Sequence, residues 1–211
     1  MTSRKKLPVL HTSLEANNAI TEAYRNLRAS LTYYAWDKRV QTLVFTSLHS
    51  GDGTTSLIAN LAVLSAQEYK RVLLIDGQLR KPKLHHYFLA PNHIGLSDVL
   101  SDKAKIVDVL VETNIEHLTL LPAGPLRVNS AELLGTHKLS RLLESFQEKF
   151  DVILIDSPAV LHYSDTGLWA RASDGVVIVV NSKSSKSEHL QRAEALLDPF
   201  QEKLVGVIMV K

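Results

Sequence analysis

From residue 47 to residue 56 the chain reads SLHSGDGTTS, with an apolar run before it and an apolar-faced run after it. Glycines at 51 and 53 let successive backbone N–H groups turn inward, and hydroxyls follow at Thr54, Thr55 and Ser56. A loop of this kind leading into a helix makes a nest for an anion, because N–H groups and the positive helix terminus converge on one point. Gly51, Asp52, Gly53, Thr54, Thr55 and Ser56 therefore read as a phosphate-binding loop, with the Thr55 hydroxyl where a Mg²⁺ ligand would stand. The lysine of such a loop is absent, and Thr54 holds its place. Two acids join the set: Asp76 closes RVLLID, and Asp156 closes DVILID ahead of Ser157 and Pro158. An acid at the end of a buried apolar strand suits an outer contact to Mg²⁺.

These residues can meet only if one sheet carries them at one edge. Six apolar runs read as strands: QTLVFTS, RVLLID, HLTLLPAG, DVILIDSP, DGVVIVVNS and KLVGVIMV. They are continuous rather than alternating, so both faces are expected to be buried, as in a parallel sheet. Helical periodicity separates them. Leu14, Ala19, Ala23, Leu27, Leu31 and Tyr34 predict a long helix over 14–36. SLIANLAVLSAQ, a short piece around Leu84 to Phe88, DTGLWARAS and SEHLQRAEALLDPF read as further helices. GLSDVLS and KIVDVLVET read as small helical pieces, and SAELLGTHKLSRLLESFQEKF as one helix with Ser130 as its N-cap. Alternating strands and helices predict a doubly wound α/β domain of the P-loop NTPase type, mainly parallel, with helices on both faces. In that architecture ligands bind beyond the carboxyl ends of the strands, where all three motifs fall.

Composition narrows the function. The formal charge of +2 over 211 residues gives no basis for a nucleic-acid partner. The absence of cysteine excludes disulfides, thiolate metal sites and iron–sulfur clusters. No stretch approaches the ~20 apolar residues of a membrane span, and the basic start lacks the apolar core of a secretory signal. A cytoplasmic protein without membrane insertion is expected, peripheral to the membrane only through a partner. Residues 1–13, with Arg4, Lys5 and Lys6, read as a basic flexible tail, and 14–211 as a single domain. The adjacent His85 and His86 point about 100° apart on a helix, and no third ligand is evident beside them.

Over almost its whole length the chain resembles the cytoplasmic kinase domain of bacterial tyrosine kinases, proteins of the ParA/MinD type that work with polysaccharide co-polymerases. The resemblance rests on TEAYRNLRASL (21–31), SGDGTTSLIANLA (50–62), VLLIDGQLRKPKLHHYF (72–88) and GLSDVL (95–100). It continues in LLPAGPLRVNSAELL (120–134) and FDVILIDSPAVLHYSDTGLWARASDGVVIVV (150–180). It implies Mg-ATP or ADP in the loop, catalytic roles for Asp76 and Asp156, and Mg²⁺ held by Thr55, Asp76 and Asp156. It also implies subunit contact through Glu22, Arg25 and Arg28, a tilted charge stripe at i, i+3 and i+6 on the first helix. The expected partners are a second copy, a homologous kinase, or the cytoplasmic end of a membrane co-polymerase.

The departures from that pattern point to a degenerate member. Thr54 replaces the lysine, Gln78 replaces the second acid after Asp76, and Ala159 replaces a proline. The last strand ends at Val210 and Lys211 without the family's asparagine, and the last tyrosine is Tyr163, so the tyrosine-rich tail is missing. The lysine is a charge-assisted donor worth ~1.5–3 kcal/mol, so its loss weakens ATP binding by roughly 10- to 100-fold. Weak or absent nucleotide binding and a vestigial catalytic site are expected, in a pseudokinase subunit that works by association. The alternatives are an active Mg-ATP-dependent tyrosine kinase whose substrate lies in another chain, and a ParA/MinD-type positioning ATPase. Arg80 and Lys81 are candidate replacements for the missing charge.

Overall fold

A computed structural model describes residues 10, 19–38, 40–68, 70–125 and 130–211. Arg4, Lys5 and Lys6 of the basic tail, and Leu14 at the start of the first expected helix, lie outside the described residues.

The strands are β1 (Thr42–Ser47), β2 (Val72–Asp76), β3 (Val111–Glu112), β4 (Leu118–Leu121), β5 (Val152–Asp156), β6 (Gly175–Asn181) and β7 (Leu204–Val210). They form one sheet in the order β3-β4-β2-β5-β1-β6-β7. Every pairing is parallel except that of β3 with β4. The helices are α1 (Ala19–Lys38), α2 (Thr54–Ala66), α3 (Leu84–Tyr87), α4 (Leu96–Leu100), α5 (Ser130–Leu134), α6 (His137–Gln147), α7 (Asp165–Ala172) and α8 (Ser187–Leu197).

Alternate residues of each central strand feed opposite layers of core. Leu43, Phe45, Leu74 and Leu154 face α2, with Tyr24, Leu27 and Leu31 of α1 packed outside. Val44, Leu73, Ile75, Ile153 and Ile155 face the other way, onto Leu96, Leu139, Leu143, Phe146 and Trp169. Both faces are covered, which is why the strand sequences are apolar throughout. The exception is the edge strand β7, where Val207 and Met209 are exposed.

Two local readings are corrected. The helix expected from Ser130 onward is split: α5 stops at Leu134, and α6 starts after Thr136, whose hydroxyl donates to Leu133 O at 2.9 Å. Ser130 is the first residue of α5 rather than its cap, and its hydroxyl faces Asp165 Oδ2 at 3.4 Å. Within the stretch read as helical, a 3-10 turn at Ile106–Asp108 gives way to β3. Among the described residues no helix is long and apolar enough to cross a membrane.

What matters for the site is the register. Asp76 of β2 pairs with Asp156 of β5, and Asp156 also pairs with Phe45 of β1. The two acids therefore end neighbouring strands at one level, beside the strand from which the glycine loop departs.

Candidate functional site

The loop is shaped by its glycines and held by its acid. Gly51 and Gly53 have φ of 99° and 95°, a left-handed conformation that side chains resist. Asp52 is buried. Its Oδ2 accepts the His49 N–H at 2.8 Å and its Oδ1 accepts the Ser184 hydroxyl at 3.1 Å. Asp52 thus ties the loop to itself and to the segment before α8. Gly53 caps α2 without a side-chain acceptor, so no capping side chain takes the first-turn N–H groups that an anion could meet. Thr54 is buried at 4% exposure, and its hydroxyl has no partner. Ser56 shares a hydrogen bond with the Tyr87 hydroxyl, which links the loop helix to α3.

Beneath the loop, Asp156 Oδ2 accepts the Thr55 hydroxyl at 2.7 Å and the Gln78 side-chain amide at 2.9 Å. The same Gln78 Nε2 lies 3.0 Å from Thr55 Oγ1. One NH₂ group therefore donates to Thr55 and Asp156, two of the three residues that the resemblance assigned to Mg²⁺. Asp156 Oδ1 is buried without a partner. Asp76 is fully buried and its acceptors are all engaged by backbone: Oδ1 takes the Gln78 N–H at 3.2 Å, and Oδ2 takes the Lys83 and Leu84 N–H groups at 2.9 Å each. It fastens the turn from β2 into α3.

Both acids sit far from their ordinary titration range. Burial pushes Asp156 up to about 7, and the nearby charge of Asp76 adds to it, while the Thr55 and Gln78 bonds and the Lys83 charge oppose it. Burial also pushes Asp76 up, to about 6, against the three backbone donors and Lys83. Mg²⁺ requires oxygen ligands in a near-octahedral shell at ~2.0–2.1 Å. Here an N–H donor stands against Thr55 and Asp156 Oδ2, while Asp156 Oδ1 faces no donor. As arranged, the Gln78 amide occupies two of the contacts that Thr55 and Asp156 would otherwise offer an ion.

The structure brings Thr55, Asp76, Asp156 and Gln78 together under the loop of residues 51–56 and places the other candidates elsewhere. Arg80 lies over the Tyr163 ring, 5.4 Å from its centroid, with its Nε 3.6 Å from Asp165 Oδ2. Lys81 is exposed. On α1, Glu22 pairs with Arg25 on an exposed face. Arg28 turns to α2, donating to Leu64 O at 2.9 Å and pairing with Glu68 at 2.7 Å. His85 and His86 stack at 3.9 Å between ring centroids; among the described residues no metal-binding group of three acids or histidines forms. Three features escaped the sequence reading. Lys83 is the cation felt by both buried acids, Tyr87 holds Ser56, and His49, His162 and His189 meet in space. The first two lie in a motif whose spacing to Asp76 was visible, but the histidines come from three separate segments.

A family model for an AAA domain matches residues 40–206. Tyrosine-protein kinase YwqD of Bacillus subtilis (strain 168) is 33% identical over 195 residues, which is 92% of this chain and 82% of that protein. The crystal structure of the chimerical protein CapA2B2 superposes with a TM-score of 0.90 at 32% identity, covering 95% of this chain and 88% of that one. The BceF tyrosine kinase domain gives a TM-score of 0.87 at 33% identity, covering 95% and 81%. Likeness in sequence and fold over nearly the full length decides it: the chain belongs to the bacterial tyrosine-kinase family, within the P-loop class that carries this AAA domain.

Proposed function

We propose that this chain is a catalytically silent member of a tyrosine-kinase system for exopolysaccharide or capsule production, acting through assembly. The observation that carries the reading is the Gln78 amide, which bridges Thr55 and Asp156 where the family chemistry needs an ion. Phosphoryl transfer is nearly all positioning and charge stabilisation. A neutral amide offers two hydrogen bonds but no net charge, and Thr54 offers none in place of the lysine. Gln78 also cannot accept a substrate hydroxyl proton at neutral pH. The nest at Gly51 and Gly53 is retained, so weak binding of ATP or ADP is compatible with this reading.

The proposed partners are a second copy, a homologous active kinase, or the cytoplasmic end of a membrane polysaccharide co-polymerase, which would hold the chain at the inner membrane face. Likeness to the chimera CapA2B2 supports partnership with a second polypeptide. The surface proposed for it is the exposed face of α1 with Glu22 and Arg25, flanked by Arg28.

A second reading has its own support. YwqD and BceF are tyrosine kinases by name, and Asp76 and Asp156 end neighbouring strands beneath Thr55 in the first turn of α2. On that reading the chain is an Mg-ATP-dependent tyrosine kinase whose substrate is another chain. Incubation with Mg-ATP, alone and with a tyrosine-rich peptide, followed by mass spectrometry separates the two. No phosphotyrosine is expected; stoichiometric phosphotyrosine on either substrate would establish the second reading.

A further inference from the structure

The sheet ends at β7, whose outer edge pairs with no strand among the described residues. From Leu204 to Val210 it reads LVGVIMV, without a charge or a proline. Edge strands of soluble proteins ordinarily carry a lysine, a proline or a bulge that stops a second strand from adding. Here a bulge at Val205 disturbs only the start: Val176 pairs with Leu204 and Val177 with Gly206, and the register with β6 is then unbroken to Val210. The Ser182 N–H donates to Val210 O at 2.9 Å, so Val210 faces β6. A parallel ladder uses alternate residues, so Ile208 faces β6 as well, and Val207 and Met209 turn their N–H and C=O groups to the open edge. Ile208 and Val210 pack into the core beneath α2, which puts the side chains of Val207 and Met209 on the other face. Those side chains are 42% and 70% exposed, so unpaired backbone and uncovered apolar surface fall on the same two residues.

What such an edge accepts is another extended backbone, and this one is complementary to itself. A second β7 laid antiparallel about a two-fold axis at Ile208 sets Val207 against Met209 of the second copy, and Met209 against its Val207. Residues opposed in this way exchange both N–H···O bonds, so every outward group of Val207 and Met209 finds a partner. Opposed side chains share a face of the sheet, so each Val207 covers a Met209. The flanking lysines stay apart. Lys203 Nζ is turned to the carbonyls of Ala170, Arg171 and Ser173, and Lys211 falls opposite Val205 of the second copy. The other edge of the sheet is a poor mate for β7. The strand β3 holds only Val111 and Glu112, and a β7-to-β3 contact would build an open chain of molecules rather than a closed pair.

We propose that β7 is a homodimer interface, through which two copies join edge to edge, antiparallel about Ile208, into one continuous sheet. The contact uses neither the glycine loop nor α1, so it stands apart from the silent-member reading and from the assembly role given to Glu22 and Arg25. An interface this small associates weakly, with a Kd of roughly 10–100 µM.

The chain has no cysteine, so single cysteines report the pairing directly. Val207→Cys and Met209→Cys are purified separately, then oxidised at about 100 µM, each alone and as a mixture. Opposed residues lie ~5.5 Å apart between Cα atoms, within disulfide reach, whereas each residue and its own counterpart lie diagonally at ~7–8 Å. The mixture is expected to form the linked dimer at least ~10-fold faster than either variant alone. Equal rates in all three samples, or no cross-link in the mixture, would overturn the proposal. Sedimentation equilibrium supplies the second measurement. Wild type is expected to dimerise reversibly, and Val207→Pro, which removes only an outward N–H, to weaken this about ten-fold or more. Met209→Lys tests the same edge through an exposed side chain, whatever proline does to the fold. A wild type monomeric at about 200 µM would overturn the proposal, as would folded edge variants that dimerise as wild type does. Arg25→Ala is expected to leave this dimer intact; lost co-polymerase binding with β7 pairing retained separates the two surfaces.

Discussion

Replacing Gln78 by Asp restores the acid that the family pattern calls for and removes the amide bridge. The side chain shortens by one methylene and exchanges two N–H donors for a carboxylate. Thr55 Oγ1 and Asp156 Oδ2 each lose a donor, at 3.0 and 2.9 Å. A third acid joins Asp76 and Asp156 in a site where both are already driven toward protonation. Two lost hydrogen bonds cost ~1 kcal/mol each, and the added acid without a counter-charge adds ~1 kcal/mol or more. A loss of ~3 kcal/mol lowers Tm by about 6–12 °C for a domain of this size. Mg²⁺ should reverse it, because the variant presents three oxygen ligands; at a hundred times its Kd the ion returns ~2.7 kcal/mol. The assay is thermal unfolding with and without Mg²⁺ at matched ionic strength. Wild type is expected to show no Mg²⁺ effect and Gln78→Asp a clear one. A wild type stabilised by Mg²⁺ as much as the variant would refute the argument that the amide stands in the ion's place.

Two other outcomes follow from the same geometry. Asp156 and Asp76 are raised in the folded chain above their ordinary ~3.9, so their contribution is fully present below about pH 4 and lost as pH rises through about 6–7. Asp156→Asn should therefore gain stability relative to wild type between about pH 4 and about pH 8, measured by denaturant unfolding; parallel curves would mean the acid titrates normally. On α1, Arg25→Ala should leave Tm within about 1 °C while reducing assembly measured by light scattering with a co-polymerase cytoplasmic segment. Arg28→Ala should lower Tm as well, because it takes the Arg28 donor from Leu64 O and leaves Glu68 with only the longer Lys70 pairing at 3.9 Å. Unchanged assembly in both variants would remove the helix from the interface.

The layout of the sheet was legible because both faces of its central strands are buried, which writes itself as unbroken apolar runs. It was illegible where that condition fails. β3 is two residues long and partly exposed, so nothing in VE distinguishes it from a turn. The apolar spacing that made one helix of 130–150 runs on through Gly135 and Thr136, and only the Thr136 bond to Leu133 O marks the break. At the site, the left-handed loop and the paired acids followed directly from residue types and strand ends. Gln78 was legible as a missing carboxylate but not as a donor, since what an amide reaches depends on the β2–β5 register. The histidine chain joins residues 113 and 140 positions apart, a separation on which local spacing is silent.

The Gln78 bridge also gives evolution here a direction. On the silent-member reading, a lineage that lost the lysine first would leave three acids crowded with only the Lys83 charge against them, and a carboxylate-to-amide change would then relieve it. Going back, Gln78→Asp taken alone recreates that crowding, whereas Thr54→Lys taken first brings a cation to acids already present. On that reading Gln78→Asp and Thr54→Lys are expected to be epistatic, with the double variant more stable than the two single effects would sum to. Asp76 is held in either direction by its three backbone N–H groups, so this acid fastens its turn whether or not the site carries out chemistry. An acid that fastens a turn in this way is thus a poor witness to activity.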